Sequence, residues 1–278
     1  MTEIDVAALS AWTGRSMEAE DRVTSRLVAE FRATFEDKLA PVPDGAAPLA
    51  LHWCLAPETP KLSRIGHDGH AAKGEFLPPV PLPRRMWAGG EVEFLDHLRL
   101  DDRVVRRSTV GKIAFKQGRT GPLCFVAVHH EVAGPRGVAI RERHDMVYRD
   151  AGTSAAAPPP AAPTQSDLDW TVEASPVLLF RYSAMTFNGH RIHYDLPYVT
   201  EVEGYQGLVV HGPVQATLLL QAAAVLGGNA PRGFRYRALS PLIAGRSFRV
   251  RGRLTEGGAV CRVENGDGIV TMEAEAFR

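Results

Sequence analysis

Cysteine is scarce in this chain: three thiols in 278 residues, Cys54, Cys124 and Cys261, with no CxxC pair. That spacing supports neither a zinc ribbon nor a disulfide framework, and the three read as small buried hydrophobes of a reducing compartment. A surplus of charge is missing too, since 32 Lys and Arg balance 32 Asp and Glu. Proteins that grip nucleic acid draw most of their affinity from a basic surplus, so no nucleic-acid partner is expected. The longest nearly apolar stretch, 214–226, falls short of the roughly 20 residues that cross a bilayer. The acidic start Met1-Thr2-Glu3-Ile4-Asp5 lacks the basic and apolar regions of a secretory signal. Together these absences predict a cytoplasmic protein with no membrane partner.

What remains is ordinary globular material, 45% hydrophobic and 23% charged, of a length that suits two domains. One segment departs from it. Residues 151–166, AGTSAAAPPPAAPTQS, hold four prolines and no large apolar side chain, a composition that cannot pack and suits an extended linker. It divides the chain into 1–150 and 167–278.

In the C-terminal part, Leu178 to Tyr182 reads as a strand leading into a polar stretch. Val214 to Leu226 (VQATLLLQAAAVL) is apolar all round, which predicts a buried helix. Gly212-Pro213 marks its start and Gly227-Gly228 its end. The period then changes to two at 234–238, 247–254, 259–263 and 269–277, with turn signals between, and the last two runs form a hairpin. One buried helix followed by an antiparallel meander predicts a sheet wrapped around that helix, the hotdog architecture. The N-terminal part repeats the ingredients. Glu18 to Asp37 reads as an amphipathic helix and Ala47 to Ala56 as a short buried one. Strands follow at 85–88, 91–95, 103–115, 123–132 and 138–148. The expected fold is therefore α+β: a double hotdog, its sheet continuous across both halves, each half wrapped around a central helix.

The densest polar cluster, TFNGHRIHYDLPYVTEVEGYQGLVVHG, joins a core element to the start of the buried helix. A helix N-terminus offers free N–H groups and partial positive charge, so Gly212, with no side chain to block approach, is a candidate oxyanion site for a thioester enolate as well as a plain cap. His190 and His193 lie nearby with Asn188 and Asp195. A histidine can move a proton to and from water near neutral pH, and a neighbouring amide or carboxylate can hold that water. No Glu follows the first His as in a zincin, so no metal is expected.

The run from Phe180 to Leu218 resembles the MaoC-like hydratase 2 family of hotdog enoyl-CoA hydratases. That family's signature is Ser-Gly-Asp-x-Asn-Pro-aliphatic-His followed by an aliphatic stretch ending in His-Gly. Here Thr186 falls on the Ser, Phe187 on the Gly, Asn188 on the catalytic Asp, His190 on the Asn, Arg191 on the Pro and His193 on the catalytic His. His211-Gly212 falls on the closing pair, whose glycine N–H is the family's oxyanion donor. The variant FRYSAxTFNGHRIHYD with EGYxGLVVHGP is similar to the subgroup of hydroxyacyl-thioester dehydratase type 2 and the itaconyl-CoA and mesaconyl-CoA hydratases. His67-Asp68-Gly69-His70, Gly74-Glu-Phe-Leu-Pro-Pro and Leu82-Pro-Arg-Arg-Met-Trp-Ala-Gly-Gly90 resemble the same subgroup's N-terminal dehydratase-like domain.

The resemblance implies reversible hydration of an enoyl-CoA without a cofactor. His193 is then the base, Asn188 the water-holding group and Gly212 the oxyanion donor, while Asp195 either orients the imidazole or is structural. An amide cannot exchange a proton at neutral pH, so the family's paired acid–base chemistry is not expected of Asn188. Candidate substrate-binding residues are Arg191, Arg84, Arg85, Trp87, His190 and His211. The stretch carrying Arg84, Arg85, Arg106, Arg107, Lys112, Lys116 and Arg119 is locally basic, as the phosphates of CoA require. The expected partner is an acyl-CoA thioester, with a homodimer as the expected assembly. A thioesterase using the same helix end and a non-catalytic acyl-CoA binder are the competing classes.

Overall fold

A computed structural model describes residues 5–118, 121–150, 159–160 and 165–278. The segment 151–166 therefore falls outside the described residues apart from 159–160 and 165–166, as do Arg119 and the first four residues.

Ten strands form one antiparallel sheet: β1 (Ser16–Arg22), β2 (Arg84–Phe94), β3 (Arg103–Gly118), β4 (Gly121–Gly134), β5 (Gly137–Arg149), β6 (Leu168–Glu173), β7 (Gly233–Ala238), β8 (Ser247–Thr255), β9 (Gly258–Glu264) and β10 (Val270–Phe277). The spatial order is β1-β3-β4-β5-β2-β7-β10-β9-β8-β6, so the two sets of five meet where β2 pairs with β7. Glycine makes that seam possible. Gly90 lies opposite Tyr236, and a Cβ there would run into the Tyr236 ring beneath it. The last strands alternate cleanly between buried and exposed positions, as their sequence period requires.

Four α-helices accompany the sheet among the described residues: α1 (Val6–Ser10), α2 (Ser25–Phe35), α3 (Pro176–Thr186) and α4 (Gly212–Gly227). Helix α4 is the buried helix expected from the sequence, with every residue from Val214 to Ala224 buried. It packs on β7 to β10. Its other side is covered by the segment around residues 40–51, and two hydrogen bonds fix the contact. Gln221 donates to the Leu49 carbonyl (2.8 Å) and accepts from the Ala40 N–H (2.8 Å). Gln215 in turn accepts from Thr271 Oγ1 (2.7 Å). The two glutamines of this apolar helix thus have buried partners.

Four sequence readings need correction. Leu178 to Tyr182 is not a strand but the middle of α3. Ser175 caps that helix by accepting from the Leu178 N–H, Pro176 opens its first turn, and Leu179, Tyr182 and Met185 face inward. Glu18 to Asp37 is not one helix: residues 16–22 form edge strand β1 against β3, and α2 starts only after the Thr24 cap. Ala47 to Ala56 holds only a 3-10 turn at Leu51–Cys54. At the start of α4 the cap is His211, with Gly212 and Pro213 as its first two residues.

The two sets of strands also differ in what covers them. Helix α2 has eleven residues and lies against α3, so no long helix fills the space over β2 to β5. A cavity does. No helix among the described residues is long and apolar enough to cross a membrane.

Candidate active site

The cavity measures about 730 Å³. Its floor comes from the first sheet half: Arg85 and Trp87 of β2, Arg106 of β3, His130 and Val132 of β4, and Glu142, His144 and Met146 of β5. Its opposite wall comes from α3 and the segment after it: Tyr182, Ser183, Thr186, Asn188 and Gly189. Gly69 and His70 close one side, and Pro213 brings in the start of α4.

The segment behind that wall places three imidazoles in a file, and His70 from the first half adds a fourth. His193 is 7% exposed and stacks on His211, ring centroids 3.5 Å apart. His190 meets His193 edge-on at 5.4 Å, and His70 lies against His190 at 3.9 Å. His193 Nδ1 is 2.7 Å from the Val209 carbonyl oxygen, which can only accept, so Nδ1 carries the proton. Nε2 is left as a lone-pair base with no protein partner among the described residues. Burial pushes the His193 pKa down to about 4, against the raising effect of the Val209 carbonyl, so the ring stays neutral at ordinary pH. Burial likewise holds His211 and His190 well below the usual histidine range, with His193 and His70 adding to the effect. His211 Nε2 shares a hydrogen bond with Ser183 Oγ (2.8 Å).

His211 is also the cap of α4, so the stack ties the free base to a helix N-terminus. In the first turn Pro213 has no N–H, and the Val214 and Gln215 amides both reach the His211 carbonyl (3.1 and 3.4 Å). The Gly212 N–H is left without a partner among the described residues. Trp87 lies on Gly212 so closely that a Cβ there would sit 2.7 Å from its Cε3. His193, His190, His211 and Gly212 do not themselves line the cavity. Their neighbours Asn188, His70, Ser183, Trp87 and Pro213 do.

Asn188 accepts from the His190 N–H through Oδ1 (3.0 Å), which turns its amide group into the cavity wall. Asp195 does not touch the His193 imidazole. It takes a forked pair from Arg191 (2.9 and 2.7 Å) and caps the next turn by accepting from the Tyr198 N–H (3.1 Å). That pairing holds the Asp195 carboxyl below its usual range. Arg191 is spent there, with its guanidinium over the Tyr198 ring (4.1 Å) and a further bond to the His67 carbonyl (3.2 Å). Arg84 pairs with Glu203 (3.3 Å) and donates to its carbonyl (2.6 Å). Neither arginine reaches the cavity. Arg85 does, and its Nε is buried without a partner, as is that of Arg106.

Two clusters had no role assigned to them from the sequence. The first is Asp68 with His70, whose Nδ1 lies 2.9 Å from Asp68 Oδ2. Burial alone would raise the Asp68 carboxyl, but the bond to His70 holds it well below the usual range. Burial, reinforced by Arg85, pushes the His70 pKa down to about 4. Asp68, His70 and His190 bring their ligand atoms within 4.8 Å of one another, the one such grouping among the described residues that could hold a metal ion. Two of the three are already bonded to each other. The second cluster is a buried chain in the floor: Ser108 donates to His130 Nδ1 (2.8 Å), His130 Nε2 to His144 Nδ1 (3.2 Å), and His144 Nε2 to Glu142 (2.6 Å). Glu142 also accepts from Trp53 Nε1 (2.7 Å). Burial alone would raise its carboxyl, yet His144 and His52 hold it well below the usual range.

A hotdog sheet wrapped on a buried helix is a fold that dehydratases and a thioesterase share among solved structures. The family model for hydroxyacyl-thioester dehydratase type 2 matches residues 50–244, and the chain belongs to that family. It is 38% identical over 268 residues, 95% of both chains, to a mesaconyl-C(4)-CoA hydratase of Chloroflexus aurantiacus. Among solved structures it is similar to a MaoC-like dehydratase of Phytophthora capsici (TM-score 0.69, 15% identity, 99% of each chain). A double-hotdog protein of Mycobacterium tuberculosis also matches (TM-score 0.54, 14% identity, 95% of this chain and 96% of that one). The fold is thus a double hotdog, and the chain is a hydro-lyase of the MaoC-like group.

Proposed function

We propose that this enzyme adds water reversibly across the double bond of a short, branched dicarboxylic enoyl-CoA of the mesaconyl-CoA or itaconyl-CoA type. The observation that carries the reading is the stack of His193 on His211, the cap of α4. It puts a base with its lone pair free beside a helix N-terminus with one amide free. The thioester oxygen binds at the Gly212 N–H. Water held by Asn188 and His193 attacks the β-carbon while His193 Nε2 takes its proton. The π electrons move to the thioester oxygen, where the amide and the helix dipole stabilise the enolate. An oxyanion donor of this kind is worth roughly 3–4 kcal/mol of barrier in other enzymes. The carbonyl re-forms as His193 returns the proton to the α-carbon.

The name of the Chloroflexus relative supports a dicarboxylic acyl group. So does Arg85, which enters the cavity wall near His70 with Nε unpaired and is the counter-charge we assign to the acyl carboxylate. Arg191 and Arg84 are committed to Asp195 and Glu203. A longer 3-hydroxyacyl chain is the second reading, favoured by the reach of the cavity across β2 to β5. The test is a panel of mesaconyl-C4-CoA, itaconyl-CoA, crotonyl-CoA and a long-chain enoyl-CoA. Loss of enoyl-thioester absorbance is followed alongside a free-thiol assay. Fastest turnover on a dicarboxylic substrate without thiol release is expected. Thiol release would make the protein a thioesterase, and preference for the long chain would favour the second reading.

A further inference from the structure

Asparagine at position 188 leaves a gap. A water aimed at the β-carbon has two O–H groups to place. His193 Nε2 accepts one, and an aspartate at 188 would accept the other. The Asn188 carbonyl oxygen already accepts from the His190 N–H (3.0 Å), which leaves it a single lone pair where an aspartate would offer a whole second oxygen, and its NH2 only donates.

His70 is a further acceptor on this side of the cavity. It lines the cavity on the side where Asn188 and Gly189 form the wall. The carboxylate of Asp68 accepts twice from this residue, from the backbone N–H (3.1 Å) and from Nδ1 (2.9 Å). A carboxylate can only accept, so the ring proton is on Nδ1, and Nε2 has a lone pair with no protein partner among the described residues. His70 and His193 thus hold the same tautomer, each fixed by an oxygen behind it. The loop is locked to the catalytic segment: the Arg191 N–H donates to the Asp68 carbonyl (2.9 Å), and Gly69 packs so tightly on the Gly189 backbone that no Cβ fits.

We propose that His70, oriented by Asp68, is a further catalytic residue of this site, accepting the second O–H of the attacking water in place of the aspartate that position 188 lacks. The inference rests on the hydratase reading above. The proton that moves goes from water to His193 and on to the α-carbon. His70 gains none, and its bond persists to the hydroxyl of the product. Its depressed pKa keeps the Nε2 lone pair available across ordinary pH.

The decisive variant is Asp68→Asn. The amide oxygen still accepts from the His70 N–H, while its NH2 donates to Nδ1. The ring proton then moves to Nε2, which can no longer accept from water. Asp68→Asn and His70→Ala are each expected to lower kcat about a hundredfold on crotonyl-CoA, with KM within about threefold and an unchanged melting curve. His70→Gln, which restores an acceptor, should recover part of the loss. The inference is overturned by a folded Asp68→Asn or His70→Ala enzyme that keeps more than about a third of the wild-type kcat. It is equally overturned by losses that track the melting temperature, or by wild-type activity that a chelator abolishes and a divalent metal restores. Wild-type protein run in the same assay separates the two readings. Its failure to hydrate any enoyl-CoA removes the hydratase reading and this inference with it, while normal wild-type turnover with unaffected variants removes this inference alone.

Discussion

The acid limb of the activity profile should lie unusually low. Burial holds His193 near pKa 4, and the groups facing it, His190, His211 and His70, are depressed as well. In the proposed mechanism His193 must be neutral to act as the base. At pH 5.5 a histidine with the ordinary value of about 6.5 would be roughly one-tenth neutral, whereas one near 4 is almost wholly so. kcat/KM on a neutral enoyl-CoA should therefore stay within about twofold between pH 7.5 and 5.5 and fall only as pH approaches 4. Stability runs the same way. In the unfolded chain His193 binds its proton near pH 6.5, in the folded one near 4, so the unfolded state holds more protons between those values. Folding stability is then lost as pH falls through that window, and this one ring accounts for about 3 kcal/mol of it. Initial rates and circular-dichroism melts on the same samples keep the two effects apart. A tenfold fall in kcat/KM by pH 5.5 in protein that remains folded, with an apparent pKa near 6.5, would refute the buried-base argument.

Further outcomes follow from single contacts. His193→Ala should cost at least about a hundredfold in turnover, the range for loss of a general base; a variant keeping a tenth of the activity would remove His193 from the mechanism. Gly212→Ala drives a methyl group to 2.7 Å from Trp87 and should lower stability by about 1–3 kcal/mol as well as rate, which a melting curve and kcat together will report. Gln221→Leu strands the buried Ala40 N–H and Leu49 carbonyl, a loss of about 1–3 kcal/mol for each group, measurable by urea unfolding. Asn188→Asp introduces a charge that, about 4 Å from a substrate carboxylate at an effective dielectric near 20, repels it by about 4 kcal/mol. It should therefore harm a dicarboxylic acyl-CoA far more than crotonyl-CoA, and equal losses on both would separate the asparagine from substrate charge.

Much of this architecture is legible in the sequence where one signal dominates. Helix α4 announces itself through a mostly apolar run between Gly-Pro and Gly-Gly, and β8 to β10 through a period of two. Edge strand β1 is nearly all polar, because an outermost strand need bury little, and its residues join the helical pattern that follows. In α3 the short apolar run Val177-Leu178-Leu179-Phe180 is ambiguous between strand and helix, and the capping signal Ser175-Pro176 is the clue that decides it. The site shows the same division. His193 and Gly212 stand out by their place before a buried helix. The partner of His193 is a backbone carbonyl, which side-chain patterns do not reveal, and Asp195 turns to Arg191 because four residues on a helical turn bring the two together. His70 and Asp68 are visible as a motif, but their meeting with His190 depends on a loop docking on a segment more than a hundred residues away.

The arrangement explains why two hotdog sheets share one chain here without being equivalent. Helix α4 is apolar all round because both of its sides are enclosed, one by β7 to β10 and the other by the segment around residues 40–51. The first half thus contributes the cover for the second half's helix and forgoes a long central helix of its own. The space this leaves over β2 to β5 is the cavity, floored by Trp87, Arg85 and the Glu142 chain. The second half contributes the opposing wall and the imidazole file behind it. His70 crosses from the first half to meet that file, and Gly69 against Gly189 sets how closely it can approach. In the proposed mechanism acyl recognition draws on the floor of the first half, and proton transfer on the imidazole file, to which the first half adds His70. Substitutions on the floor should change which acyl group is accepted, while substitutions in the file should change the rate for every acyl group alike.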